Sequence, residues 1–194
     1  MKGKSFFANL IIMVVFGLAT FYFLRLGYYP VALVDFKPIS AKSLDEAFFS
    51  AEHYYEEAVR NGSLTLSLED LRKKEILMEI RRASLDKIII NMLIHRELKK
   101  EVGSDLSGIV GDKIDSLEIK SPDFGEAVLA VYGLSLNRFR EIVLLPQARE
   151  EVLRGNMTLK NRDFDAWLKD AKANASVKIF SRDFFWNGEE VALK

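Results

Sequence analysis

The sequence predicts a mainly α protein: an N-terminal transmembrane helix, then an elongated helical domain with a few short β-strands joining its termini. Three observations predict this. Phe6 to Leu24 (FFANLIIMVVFGLATFYFL) carries no charge over 19 residues, and at ~1.5 Å per residue it extends about 28 Å, near the ~30 Å of bilayer hydrocarbon. Ala83 to Val102 (ASLDKIIINMLIHRELKKEV) puts Leu85, Ile88, Ile89, Ile90, Met92, Leu93, Ile94 and Leu98 on every side of a helix. A helix apolar all round has to be enclosed by others. The rest of the chain is punctuated by helix signals: Ser43, Ser67, Ser121 and Ser135 stand at N-cap positions, and Gly62, Gly103 and Gly133 at C-terminal ones.

Composition narrows the classes. With 49% hydrophobic and 29% charged residues in 194, the chain has the make-up of a folded globule, of one domain or two small ones. Formal charge is zero, but Lys2, Lys4 and Arg25 precede the first acidic residue, Asp35. Beyond Arg25 there remain 25 basic and 28 acidic side chains, a net of −3. Phosphate binding needs a basic face with interleaved aromatics, so nucleic acid is not an expected partner. Cysteine is absent, which removes disulfides, thiolate zinc sites and cysteine-ligated iron–sulfur clusters.

In chain order, residues 1–5 form a tail, 6–24 the anchor and 25–30 a linker. Lys2 and Lys4 precede the apolar run and only Arg25 follows it. Phe21, Tyr22, Phe23, Tyr28 and Tyr29 suit the far interface, so the N-terminus is expected in the cytoplasm and everything from Leu26 outside it. A cleaved signal peptide, with Gly17 to Ala19 as its small-residue site, is the competing reading. The apolar run exceeds the usual ~7–15 residue signal core, which favours an uncleaved signal anchor.

Val31 to Phe36 reads as a short strand ended by Pro38. Ser43-Leu44-Asp45-Glu46 is a capping box that starts a helix running to Asn61-Gly62. His53 lies on it among Glu52, Glu56 and Glu57, where a solvated histidine is the simpler account and a metal site the sharper one. Ser67 caps a helix expected to run unbroken to Val102 unless it bends near Ser84. Leu106 to Leu117 has helical spacing, although Gly108 and Gly111 weaken it. Pro122 to Tyr132, capped by Ser121 and Gly133, is a short helix, and Ser135 caps Leu136 to Arg154. Pro146 inside that last helix removes the bond to the Ile142 carbonyl, so a kink is expected at Ile142 to Pro146. Gly155 to Lys160 reads as a link to a helix over Arg162 to Ala173. Val177 to Phe180 is a strand able to pair with Val31 to Phe36, and Asn187-Gly188 marks a hairpin within residues 181–194.

This succession of elements resembles the chaperone lobe of the SurA, PrsA and PpiD group of extracytoplasmic folding factors, over residues 31–180. Members open with a strand of the type V-A-x-V-N-G-x-P-I, which Val31, Ala32, Val34, Pro38 and Ile39 fit while Asp35-Phe36 replaces Asn-Gly. Leu85, Asp86, Ile88, Ile89, Leu93 and Ile94 match the central helix, and Tyr132 to Leu136 with Phe139 and Arg140 match a Y-G-L-S-L-x-x-F-R element. The resemblance implies a holdase for unfolded or newly translocated polypeptides. Catalytic members insert a parvulin prolyl isomerase domain of about a hundred residues between two helices that here are joined by Gly155 to Lys160 alone. Parvulin sites also need paired histidines on a sheet, whereas His53 and His95 both fall on helices. No nucleophile–base pair, phosphate loop or His and carboxylate cluster is visible, so no catalytic residue, cofactor or metal is expected.

Binding of that kind needs adaptable aromatic and Met side chains in an open apolar groove with a polar rim. The candidates are Phe48, Tyr55, Met78, Met92 and Phe139, each of which is more simply accounted for by core packing. The alternative function is a membrane-tethered scaffold that binds one fixed protein partner in the same groove.

Overall fold

The computed structural model describes the backbone of residues 2–118 and 121–194, and their side chains apart from 2–11, 18, 19 and 104. The first element is helix α1, Lys2–Arg25, whose described side chains are exposed. Among the described residues, no helix is long and apolar enough to cross a membrane. This overturns the single-pass signal anchor expected over 6–24, and with it the cytoplasmic N-terminus and extracytoplasmic domain that rested on it. Residues 6–11, 18 and 19 of the expected span lie outside the described side chains.

Past α1 the chain makes a hairpin where one strand was expected. Strand β1 (Pro30–Val34) pairs antiparallel with β2 (Lys37–Ser40), Val34 facing Lys37. The two-residue turn, Asp35-Phe36, has φ of 47° and 66°, the left-handed pair that Asn-Gly usually supplies. The rest of the fold holds it there. Asp35 N–H donates to Ser176 O at 2.9 Å, its Oδ1 accepts from Ser176 N–H at 3.0 Å, and Oδ2 accepts from Arg96. Pro38 does not end the pairing, because β2 is an edge strand with one unpaired side.

Helix α2, Ala41–Arg60, starts three residues earlier than the capping box suggested. Ser40 is its N-cap, its Oγ accepting from Ser43 N–H at 3.1 Å. Gly27 (φ 72°) lets the incoming chain reach this helix end: its carbonyl accepts from Lys42 N–H at 2.8 Å, and a Cβ there would lie 3.1 Å from the Lys42 nitrogen.

The long second helix is broken in two. A single turn, α3 (Leu68–Leu71), is capped by Ser67, and α4, Lys74–Val102, follows after Lys73 turns extended. Tertiary contacts cause the break: Leu71 is buried with Phe48 and Ile80, and Arg72 pairs with Glu56 of α2 at 3.0 Å, folding the first turn back onto that helix. From Lys74 onward α4 is continuous through Ser84, whose Oγ donates to Ile80 O at 2.8 Å.

The remaining helices pack against α4, against α2 or against one another. They are α5 (Leu106–Leu117), α6 (Phe124–Tyr132), α7 (Leu136–Phe139), a π-helical stretch at Arg140–Leu144, α8 (Leu145–Leu159) and α9 (Phe164–Ala173). Asp123, not Ser121, precedes α6, and α8 runs through the expected link as far as Leu159. Leu85, Ile89 and Leu93 pack with Ala32, Val34, Ile39 and Leu44 in one core, while Ile94 and Leu98 pack with Leu153, Met157 and Phe164 in a second.

Strand β3, Val177–Ile179, pairs antiparallel with β1 and closes the chain. A second hairpin, β4 (Phe184–Trp186) with β5 (Val191–Leu193), places Phe184 and Val191 in the first core, so it belongs to the domain. Two α4 side chains clasp β5: Asp86 Oδ1 accepts from Val191 N–H at 2.9 Å, and Arg82 donates to Val191 O at 2.6 Å. Buried backbone groups at this strand are thereby satisfied.

Candidate functional site

Between α2 and α4 lies an open groove of about 580 Å³. Each helix contributes one face: Ser43, Ala47, Ser50, Ala51, Tyr54 and Tyr55 from α2, and Ile80, Ala83, Ser84, Lys87, Ile88 and Asn91 from α4. Those spacings of three and four residues are the periodicity of a single helix face. The hollow exists because so many of these residues are Ala or Ser, too small to fill the gap between the two backbones.

Its outer wall comes from Pro146. A proline cannot donate to the carbonyl four residues back, and here the helix widens into a π-turn: Leu145 N–H bonds Arg140 O, five residues back. Such π-turns absorb an irregular residue inside a helix. The widened turn presents Ile142 and Val143 to the groove beside Pro146.

At one end an aromatic cluster forms. Tyr54 stacks on Tyr132 at 5.4 Å, meets Tyr55 edge-on at 5.6 Å, and Tyr132 lies 4.8 Å from Phe139. Burial, and secondarily Tyr54, push the Tyr132 phenol above its usual range, so it stays neutral at physiological pH. Tyr54 and Tyr55 remain 42% and 38% exposed, a large apolar area left open to solvent. The acidic side chains at the margin are paired: Glu79 with Arg82 at 2.5 Å, and Glu141 with Arg138, which also reaches Glu46 on α2. His53 is tied down nearby. Its Nδ1 sits 3.3 Å from Val131 O, and Gly133 (φ 64°) packs so close that a Cβ would fall 2.9 Å from the ring. It is half-buried, not solvated among the glutamates as expected. Among the described residues no group of His, Cys or acidic side chains could hold a metal ion.

The structure scatters the sequence candidates. Tyr55 lines the groove; Phe48 is buried with Leu71 and Ile80, and Phe139 with Val128 and Leu144. Met92 packs against the first core, and Met78 is half-buried on α4 outside the groove lining. Sequence reasoning missed the small residues and Tyr54. The signal was present in the recurrence of Ala47, Ala51, Ala83 and Ser84 at helical spacing, which leaves a helix pair unable to close.

No family model, no curated protein and no solved structure matches this chain.

Proposed function

We propose that this protein is a non-catalytic, chaperone-like module that holds apolar segments of unfolded polypeptides in the groove between α2 and α4. The observation that carries the reading is the groove itself, about 580 Å³ of open hollow with exposed Tyr54 and Tyr55 at its end and paired charges at its margin. Amphipathic tyrosines offer contact to many sequences at low entropic cost, while small residues below them leave room for side chains of different shapes. The succession of elements that resembles the SurA, PrsA and PpiD lobe supports the same reading.

The test is suppression of aggregation of a chemically unfolded client by a few-fold molar excess of the chain. Turbidity should fall, and Tyr55→Ala should weaken client binding by up to about tenfold, from an aromatic contact worth ~0.5–1.5 kcal/mol. No protection, together with capture of one stoichiometric partner, would replace the holdase by a scaffold with a fixed ligand. A prolyl isomerisation assay on a peptide should show no rate above background.

A further inference from the structure

A second hollow, of about 460 Å³, opens where α4 ends against α5 and α8. Its walls are of two kinds. Val110, Ile114 and Leu145 form an apolar side, and His95, Lys99 and Arg149 converge from α4 and α8 on the other. Every other arginine between Arg60 and Arg162 is ion-paired with a carboxylate, yet among the described residues Arg149 and Lys99 have no such partner. The acids of α4 and α8 nearest this wall are committed elsewhere: Glu151 to Lys113 at 2.6 Å, Glu150 to Arg154 at 2.9 Å, and Glu97 and Glu101 to Arg162.

His95 lines the same wall, its Nδ1 buried without a hydrogen-bond partner and the rest of its ring turned to the hollow's lining. Burial lowers the Arg149 guanidinium from its usual range, and burial followed by the charges of Arg149, Lys37 and Lys99 lowers His95. Positive charge removed from water without a counterion is costly. An anion supplied from outside would relieve it, and the apolar half of the hollow favours one that carries a hydrocarbon body. Free phosphate would leave Val110, Ile114 and Leu145 unused.

We infer that this hollow binds an apolar-tailed carboxylate, its head held by Arg149, Lys99 and His95 and its tail laid along Val110, Ile114 and Leu145. The site is separate from the groove and stands whether or not the groove binds clients.

Isothermal titration of the full chain with decanoate, kept below its micelle concentration, tests it. One saturable site is expected, about tenfold or more tighter than for decan-1-ol or inorganic phosphate, the tail and the charge each being tested alone. Arg149→Gln should weaken decanoate about tenfold, the scale of one charged hydrogen bond. Lys99→Gln, at an exposed position where folding is not at risk, should weaken it less. A short apolar peptide with a free C-terminal carboxylate, compared with its amidated form, separates the two natural sources: selective binding of the free acid points to a chain terminus, and binding of decanoate alone to a fatty acid. Equal affinity for decanol and decanoate, or affinity unchanged in both variants, would overturn the proposal.

Discussion

The two hollows flank the same helix and differ in how their charge is settled. Along the first part of α4, from Ile80 to Asn91, the groove has an aromatic end and a margin whose acids are each matched by an arginine. At the other end, from His95 to Gly103, the hollow holds cations that nothing in the described chain matches. The difference teaches that apolar hollows are not alike. One with neutral walls and paired margins can accept many sequences, whereas one with an unmatched guanidinium selects for a charge.

The largest expected effect breaks both sides of this comparison at once. Leu93, fully buried between the stretches of α4 that line the two hollows, should cost ~2–5 kcal/mol on truncation to alanine through lost transfer energy and the cavity left behind. Denaturant titration should show it, and client binding and decanoate binding should weaken together. Asp86→Ala is narrower. It strands the Val191 N–H that the carboxylate now accepts at 2.9 Å, at a cost of ~1–3 kcal/mol, and it should loosen the C-terminal hairpin while leaving the Arg149 hollow intact, as hydrogen exchange at Val191 would report. Phe36→Gly runs the other way. A left-handed conformation costs an L-residue roughly 1–2 kcal/mol, and Phe36 holds one while 90% exposed. Glycine should raise stability by about 1 kcal/mol after its larger unfolded-state entropy is deducted, and an unchanged midpoint would show that the turn is unstrained.

These cases also mark what the sequence could and could not say. The all-round apolar run from Leu85 to Leu98 announced an enclosed helix because periodicity is a local property, and Pro146 announced the loss of one helical hydrogen bond but not the π-turn that absorbs it. The break at Arg72-Lys73 was hidden, since it depends on Glu56 and on the packing of Leu71, both meaningful only after folding. Asp35-Phe36 carries no turn signature; Ser176 and Arg96, far along the chain, hold the turn in place. The capping box pointed to Ser43, whereas Ser40 caps the helix, and the approach of Gly27 and Tyr29 to the first amides of α2 accompanies the earlier start. Part of the groove was legible in its small residues. Arg149 was not, because an unpaired arginine becomes informative only when all its neighbours are seen to be paired.

The smallest effect tests the cationic hollow through protons. His95 faces Arg149 from α8, Lys37 from β2 and Lys99 from its own helix, and its folded-state value lies below the ordinary 6.5. The unfolded chain therefore binds more protons at this residue than the folded one over the interval beneath that value, and stability rises with pH there. The contribution is complete above pH 6.5 and is lost as pH falls toward the lowered folded value. Unfolding free energies measured at pH 7.5 and pH 5 should thus differ less in His95→Gln than in the parent chain. Saturating decanoate should shrink the parent's acid loss as well, because a carboxylate beside the imidazole favours its protonated form. If decanoate binds yet leaves the pH dependence untouched, the anion sits away from His95, and the head-group contacts reduce to Arg149 and Lys99.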